Sequence, residues 1–207
     1  MKGYEVPISE SDMLVVHSLA SLSCLGGRSN HREGQDREDN LYRDQLVGCI
    51  GELALSWHLT GNAQHFIIHR WYANKMRERY GEAGKRSGDP GVDIPGTNLD
   101  AKASLYQNRR VPESFSLRVS PNERGTGKVY VFIVVKLPEL FSKEIRDCTQ
   151  ADFENVTYGR AQIMGWITDE QLPPPRRDNR GISASRVEAR ELHDLMPIKW
   201  DWIGYRT

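Results

Sequence analysis

The stretch Gly91–Ser104, which reads GVDIPGTNLDAKAS, is the most informative part of the chain. A Pro-Gly pair separates two runs in which apolar and polar residues alternate, and this pattern is typical of a tight β-hairpin. Because neighbouring side chains of a strand point to opposite faces, the hairpin should have one apolar and one polar face. The apolar face carries Val92, Ile94, Leu99, Ala101 and Ala103, and the polar face carries Asp93, Asp100, Lys102 and Ser104.

The predicted turn brings two acidic residues into register. A turn centred on Gly96-Thr97 places Asp93 directly opposite Asp100, with Cβ atoms about 5 Å apart. Like charges in that position destabilise a sheet, and a divalent cation bound between them would offset the repulsion. Lys102 lies one pleat further along the same face, so the hairpin predicts metal-assisted hydrolysis of a phosphodiester.

Length and composition are those of a soluble globular protein. The 207 residues are 38% apolar and 27% charged, and no apolar run is long enough to span a bilayer. We predict a single domain over 1–207, with a core at about 41–170 and a C-terminal arm with a short helix at 171–207. The N-terminus lacks an apolar secretion signal, and three widely spaced cysteines indicate free thiols. These features predict a cytoplasmic protein with no membrane partner, and a bacterial or phage setting is compatible with them.

Charge is balanced overall but unevenly distributed. The chain has 28 basic and 28 acidic residues, which argues against a protein that coats nucleic acid indiscriminately. Basic residues concentrate at 69–86, 107–128 and 176–190, on both sides of the acidic pair in sequence. This distribution suits a polyanion held around a metal site, although any one segment is equally compatible with a solvated surface.

Hydrophobic periodicity predicts an α/β domain with a central mixed β-sheet flanked by helices. The predicted helices cover 9–25, 41–59 and 187–195, and the predicted strands cover 64–71, 114–120, 129–137 and 162–168. The run 129–137 is the expected central strand, buried on both faces. In the helix at 41–59, Glu52 ends the motif Gly48-Cys49-Ile50-Gly51-Glu52, whose small residues would let the helix lie close to the sheet.

These motifs resemble the PD-(D/E)XK nuclease superfamily, which has the restriction-endonuclease-like fold. The matching elements are Gly-x-x-Gly-Glu ending at Glu52, Gly-Val-Asp-Ile around Asp93, and Asp100-Ala101-Lys102. The similarity covers about 41–135 in outline. One departure is that no proline directly precedes Asp93, whereas Pro90 follows Asp89, so Asp89 is a rival for the first acid. We prefer Asp93 because the strand register brings it to Asp100.

The resemblance implies a Mg²⁺-dependent nuclease, most simply a DNA endonuclease, in which Mn²⁺ can replace Mg²⁺. It implies that Asp93 and Asp100 ligate the metal, with the Ala101 carbonyl as a third ligand. Lys102 would orient the attacking water or help to deprotonate it, and Glu52 would complete the first metal site or bind a second ion. Many members of the superfamily act as dimers, so a homodimer is a further expectation.

Two other functions remain open. One is a catalytically inactive module of the same fold that binds nucleic acid or has a structural role, although the presence of Lys102 and Glu52 argues against it. The other is an unrelated metal-binding protein with a phosphate-ester substrate. The residues Gln107, Asn108, Arg109 and Arg110 follow the second strand of the hairpin and either contact nucleic acid or form a turn.

Other residues with possible chemistry have simpler interpretations. A zinc site at His58, His65 and His69 is disfavoured because no cysteine pair supports it. Cys49 has no evident activating base and is expected to be packed. The aromatic residues Trp166, Trp200 and Trp202 are expected to pack in the core and tail.

Overall fold

The computed structural model describes residues 3–25, 38–64, 66–68, 70–71, 93, 97–106, 115–125, 127–177 and 183–193. In chain order the strands are β1 (Tyr4–Ile8), β2 (Leu99–Leu105), β3 (Ser116–Val119), β4 (Val129–Lys136), β5 (Gly159–Thr168), β6 (Arg176–Arg177) and β7 (Ser183–Glu188). The helices are α1 (Glu10–Leu25), α2 (Glu38–Thr60) and α3 (Gln150–Glu154). Mixed α/β architecture is therefore confirmed.

The larger sheet has the strand order β1-β5-β4-β2. Strand β5 is antiparallel to both β1 and β4, whereas β2 runs parallel to β4. The sheet is therefore mixed, as predicted, and β2, which carries Asp100 and Lys102, lies at its edge among the strands that the structure describes. Near its end, β5 contains Gly165 at φ +150°, where a Cβ would lie 2.5 Å from the His193 carbonyl oxygen, so the close approach of residue 193 requires glycine.

Strand β4 is the centre of the molecule. Its sequence VYVFIVVK is buried from Val129 to Val135, which confirms the predicted central strand. Val129, Val131, Ile133 and Val135 belong to a core cluster shared with the helices, and Tyr130, Phe132 and Val134 belong to a second cluster on the opposite face. A strand covered on both faces has no solvent side, which explains why it lacks a polar alternation.

The helices cover one face of the larger sheet. Helix α2 packs on β2, β4 and β5, and α1 packs against α2. The predicted helices at 9–25 and 41–59 are confirmed, and α2 begins three residues earlier than expected. The Ser9 hydroxyl accepts a hydrogen bond from the Asp12 amide at 3.2 Å, and Gly61 ends α2 in a left-handed conformation at φ +70°.

A second sheet, in the order β3-β7-β6, covers the opposite face, where we expected helices. The predicted helix at 187–195 is wrong, because the chain forms β7 as far as Glu188 and then a 3₁₀ turn at Ala189–Glu191. Its Ala, Arg and Glu content favours a helix locally, but antiparallel pairing with β3 and the burial of Val187 override that preference. Residues 183–188 of the predicted arm thus pack within the body of the protein.

The predicted strand at 64–71 is also wrong. Residues 64, 66–68, 70 and 71 are helical, and the Ile67 amide donates to the Ala63 carbonyl at 3.0 Å. The run Phe66-Ile67-Ile68 is typical of a strand, yet only Phe66 is buried while Ile67 and Ile68 are exposed. A three-residue apolar run cannot distinguish a buried strand from a helix that buries one residue per turn.

The three cysteines carry free thiols, as predicted. Cys49 is fully buried in the core, and burial raises the pKa of its thiol to about 12, consistent with a packing role. Within the parts of the chain that the structure describes, no helix is both long and apolar enough to cross a membrane.

Candidate active site at the edge of the larger sheet

Strand β2 places Asp100 and Lys102 on the same face of the sheet, as its alternation predicts. Their register partners on β4 are Tyr130 and Phe132, so both side chains lie on the side of the second sheet. The Lys102 ammonium lies 2.9 Å from Oδ1 of Asp100. Asp100 is 6% exposed, so this ion pair is largely removed from water.

Asp93 lies beside the outer edge of β2, but not in the predicted register. Its amide donates to the Leu99 carbonyl at 2.9 Å, one residue away from the expected partner Asp100. Its carboxylate Oδ2 accepts a 2.6 Å hydrogen bond from the Ala101 amide. The direct cross-strand pair of aspartates is therefore wrong in detail, because the Asp93 amide pairs with Leu99 and the Asp93 carboxylate binds the Ala101 amide.

The two aspartates nevertheless act on each other electrostatically. Burial, followed by the charge of Glu52, raises the pKa of Asp93 to about 7. Burial, followed by the charge of Asp93, raises the pKa of Asp100 to about 7, even though Lys102 opposes the rise. The two carboxyl groups are therefore difficult to ionise at the same time, and a bound cation would stabilise the form in which both are ionised.

Glu52 reaches the same site from the helix side of the sheet. It is 5% exposed, and its carboxylate is held by Arg70, whose Nε donates to Oε2 at 2.6 Å and whose Nη2 donates to Oε1. Arg70 Nη1 also lies 3.5 Å from Oε1 of Gln45. The structure therefore brings Glu52 into the electrostatic neighbourhood of Asp93, as the sequence suggested, but with an arginine that the sequence analysis did not assign.

A close helix–sheet contact brings Glu52 to this position. A Cβ on Gly51 would lie 2.7 Å from the Cβ of Ala103, so α2 and β2 touch at a glycine and an alanine. The motif Gly-x-x-Gly-Glu thus has the packing role expected of its small residues. Gly48 on the same helix has more room, because a Cβ added there would lie 3.5 Å from Nη2 of Arg70, which is an ordinary contact distance.

Glu123 is a residue of the site that the sequence analysis missed. It ends the 3₁₀ turn Pro121–Glu123 after β3, and its Oε1 accepts from the Lys102 ammonium at 2.8 Å. Its Oε2 accepts from the amide and hydroxyl of Ser120 at 2.9 and 2.6 Å. The motif Ser120-x-x-Glu123 is a readable capping box, although its partner Lys102 could not be read from local sequence.

The backbone of Glu123 is fixed as firmly as its side chain. Its carbonyl oxygen lies 3.1 Å from Nζ of Lys128 and 3.1 Å from the hydroxyl of Tyr130. The Tyr130 hydroxyl also lies 2.8 Å from Oδ1 of Asp169. These contacts attach the turn to Lys128 and to Tyr130 of β4 and, through Tyr130, to Asp169 directly after β5, which positions the carboxylate that binds Lys102.

The charge state of Lys102 follows from these neighbours. Burial by itself would lower the pKa of Lys102, but the charges of Asp100 and Glu123 outweigh it and hold that pKa above its usual range. The reverse holds for Glu123, where the attraction of Lys102 outweighs burial and lowers the pKa to about 2. The amine is therefore a cation at neutral pH, held between two carboxylates.

The donor set suits a hard divalent cation with few protein ligands. No three acidic, histidine or cysteine side chains in the part of the chain that the structure describes lie close enough to hold a metal on their own. Asp93 and Asp100 supply two repelling carboxylates, and Mg²⁺ commonly binds through one or two carboxylates while keeping several waters. The Ala101 amide points toward Asp93, away from β4, so the Ala101 carbonyl lies on the same outer edge of β2.

Several residues named from sequence lie outside the described residues. They are Asp89, the proposed nucleic-acid contacts Gln107, Asn108, Arg109 and Arg110, the histidines His65 and His69, and Trp200 and Trp202. His58 is half-buried against the ring of Tyr4 at 4.5 Å, and burial lowers its pKa. Trp166 packs on the ring of His193 at 4.5 Å, in keeping with a packing role.

Comparison of the chain with protein-family models, with curated proteins and with solved structures finds no match.

Proposed function

We propose that the protein is a Mg²⁺-dependent nuclease of the PD-(D/E)XK type that hydrolyses phosphodiester bonds, most simply in DNA. One observation carries the proposal: the Asp93 carboxylate binds the Ala101 amide at the outer edge of β2, on the strand that carries Asp100 and its ion-paired Lys102. The proposal includes a restriction-endonuclease-like arrangement of the larger sheet and an intracellular role in DNA processing.

Asp93 and Asp100 would hold the metal, with the Ala101 carbonyl as a third oxygen donor at the same edge. Bound there, Mg²⁺ (or Mn²⁺) would lower the pKa of a water molecule and neutralise charge on the phosphoryl oxygens. Burial of both aspartates strengthens their attraction for a cation, because few waters compete for their charge.

Lys102 would place a fixed positive charge beside the reacting phosphate. Two carboxylates keep the amine protonated, which favours orientation of the attacking water and stabilisation of negative charge over removal of a proton. Glu123 would act as a positioning residue, since it holds the ammonium 2.8 Å from its own carboxylate while Asp100 holds it at 2.9 Å.

A specific observation favours the second candidate, a module with the nuclease-like site but no turnover. Arg70 binds the carboxylate of Glu52, while Lys102 and Lys128 lie 2.9 and 3.8 Å from oxygens of Asp100. These ion pairs neutralise most of the acidic charge internally, as a purely structural cluster would. Asp93 stands apart because its carboxylate binds a backbone amide, and its pKa is raised to about 7.

Cleavage assays distinguish the two candidates. Plasmid, single-stranded and branched DNA are incubated with the protein in Mg²⁺, in Mn²⁺ and in chelator. We expect metal-dependent cleavage, abolished by Asp100→Ala and by Lys102→Ala. The matched controls Asp147→Ala and Lys136→Ala remove the same charges away from the site and should cleave normally.

Two outcomes would contradict the proposal. Undiminished cleavage by a folded Asp100→Ala protein would refute the site. Binding of DNA without cleavage in every metal would favour the inactive module.

A further inference from the structure

A buried arginine binds both carboxylate oxygens of Glu52. Nε of Arg70 donates to Oε2 at 2.6 Å, and Nη2 of the same guanidinium donates to Oε1. The two side chains are only 13% and 6% exposed, so solvent screens this ion pair weakly. Two parallel charge-assisted hydrogen bonds are among the strongest contacts between an arginine and a carboxylate. Much of the negative charge of Glu52 is therefore neutralised inside the protein.

Glu52 also lies apart from the two aspartates of the candidate metal site. It reaches the site from the helix side of the sheet, whereas the side chain of Asp100 lies on the side of the second sheet. Glu52, Asp93 and Asp100 all belong to the described part of the chain, where no three acidic side chains come close enough together to hold a metal ion. Glu52 therefore acts on the site through its charge, from a short distance away.

Arg70 acts on Asp93 with the opposite sign. Burial, and then the charge of Glu52, raises the pKa of Asp93. The charge of Arg70, after that of Lys102, opposes the rise. The ion pair thus presents charges of both signs to a cation bound at Asp93. A cation bound directly to Glu52 would instead lie beside the guanidinium, which would repel it.

From these observations we infer that the site binds one divalent ion through Asp93 and Asp100, and that Arg70 keeps Glu52 from serving as a ligand. The inference rests on the proposed function for the presence of a metal at the edge of β2. Arg70 is a positioning residue, because it acts on the ion only through Glu52 and Asp93. Substitution of such outer partners commonly changes metal affinity by roughly 10- to 100-fold.

A double-mutant cycle in Mn²⁺ affinity separates a ligand from a neutralised neighbour. Electron paramagnetic resonance counts free Mn²⁺ while the protein is titrated without DNA. Glu52→Gln leaves the positive charge of Arg70 beside Asp93 and should weaken Mn²⁺ binding about tenfold or more. Adding Arg70→Gln removes that charge, so the double variant should return to within about threefold of the unaltered affinity. One ion should bind per chain in the unaltered protein and in the double variant.

Two comparisons calibrate the cycle. Asp100→Asn removes a proposed ligand, so Mn²⁺ binding should be lost and should not return when Arg70→Gln is added. Arg146→Gln/Asp147→Asn removes an arginine–aspartate pair whose side chains are 83% and 65% exposed, and it should bind Mn²⁺ like the unaltered protein.

Thermal melting in chelator checks that each variant folds. If the two glutamines prevent folding, Glu52→Met/Arg70→Met makes the same comparison, because apolar residues of similar volume commonly replace a buried ion pair without loss of stability.

Three results would overturn the inference. The first is a double variant that binds Mn²⁺ as weakly as Glu52→Gln, which would make Glu52 a ligand. The second is a pair of ions in the unaltered protein, one of which is lost in Glu52→Gln. The third is a Glu52→Gln protein with unchanged affinity, which would leave Arg70 without influence on the ion.

The same titrations keep this inference separate from the proposed function. If the protein cleaves DNA and gives any of these three results, the nuclease proposal stands and the inference fails. If Mn²⁺ binding follows the expected cycle but DNA is never cleaved, the inference stands and the nuclease proposal fails. Absence of Mn²⁺ binding to the unaltered protein overturns the inference.

Discussion

Asp93→Asn should make the metal-free protein more stable above neutral pH. Asparagine can accept the same hydrogen bond from the Ala101 amide, so the substitution removes a charge and keeps the contact. The pKa of Asp93 rises from 3.8 to about 7 on folding, and each unit corresponds to 1.36 kcal/mol, which gives roughly 4 kcal/mol. Because Asp93 keeps part of its surface accessible, solvent screening reduces the expected gain to about 2 kcal/mol.

The sign of the pH dependence follows from the direction of the shift. Between pH 4 and pH 7 the folded protein binds a proton at Asp93 that the unfolded chain has lost, so this residue's contribution to stability falls as pH rises. The advantage of Asp93→Asn should thus be complete above pH 7 and shrink to about 1 kcal/mol at pH 4.5. Urea denaturation in chelator at pH 4.5, 6 and 8 measures the free energy of unfolding at each point.

The exposed carboxylate of Asp147 supplies the control, and Asp147→Asn should change stability little at any of the three pH values. Adding 10 mM Mg²⁺ at pH 8 should stabilise the unaltered protein and narrow the gap to Asp93→Asn, because an ion would relieve the same repulsion. If the unaltered protein and Asp93→Asn are equally stable at pH 8 in chelator, folding does not raise the pKa of Asp93. A difference in their free energies of unfolding that does not change with pH would show the same.

Two further substitutions test the frame around the site. Glu123→Gln should lower kcat for DNA cleavage about tenfold with KM little changed, since Lys102 loses a charge-assisted hydrogen bond worth roughly 1.5 kcal/mol. Steady-state cleavage measures both constants, and an unchanged kcat would contradict the positioning role. Gly51→Ala should destabilise the protein by about 1 to 3 kcal/mol, because the added methyl group overpacks against Ala103. Gly48→Ala on the same helix should stabilise the protein by up to about 1 kcal/mol, because alanine favours a helix and has room there. Thermal melting measures both variants, and equal shifts in Tm would contradict the close contact at Gly51.

Periodicity was sufficient to predict the elements that bury a continuous apolar surface. The run at 129–137 has no polar alternation because both of its faces are covered, and α2 has a broad apolar surface because it packs on the sheet and against α1. Asp100 and Lys102 were placed on one face because two residues on one strand share a face whatever the strand pairs with. Predictions of this kind depend on local geometry alone.

The incorrect predictions concern residues whose structure depends on partners far away in sequence. The segment 187–195 has the composition of a helix, but its first two residues belong to β7, which pairs with β3 across about 70 residues. The register between Asp93 and Asp100 differs from the predicted one, and the Asp93 carboxylate binds the Ala101 amide instead of lying opposite Asp100. Glu123 and Arg70 join the site through contacts 21 and 18 residues away, which no local pattern contains.

The position of the site follows from the topology of the larger sheet. An interior strand such as β4 uses its amides and carbonyls in pairing with both neighbours. The described strands leave one edge of β2 unpaired, so the Ala101 amide can bind the Asp93 carboxylate and the carbonyl beside it faces outward. A third acid then reaches this edge from α2 because Gly51 lets the helix touch the strand. If the same residues stood on β4, the backbone groups that bind Asp93 would be consumed by the sheet, and the acids would have no water, metal or phosphate within reach. Under the proposed function, the edge strand β2 is therefore the place in this fold where buried carboxylates would reach a metal ion and a substrate.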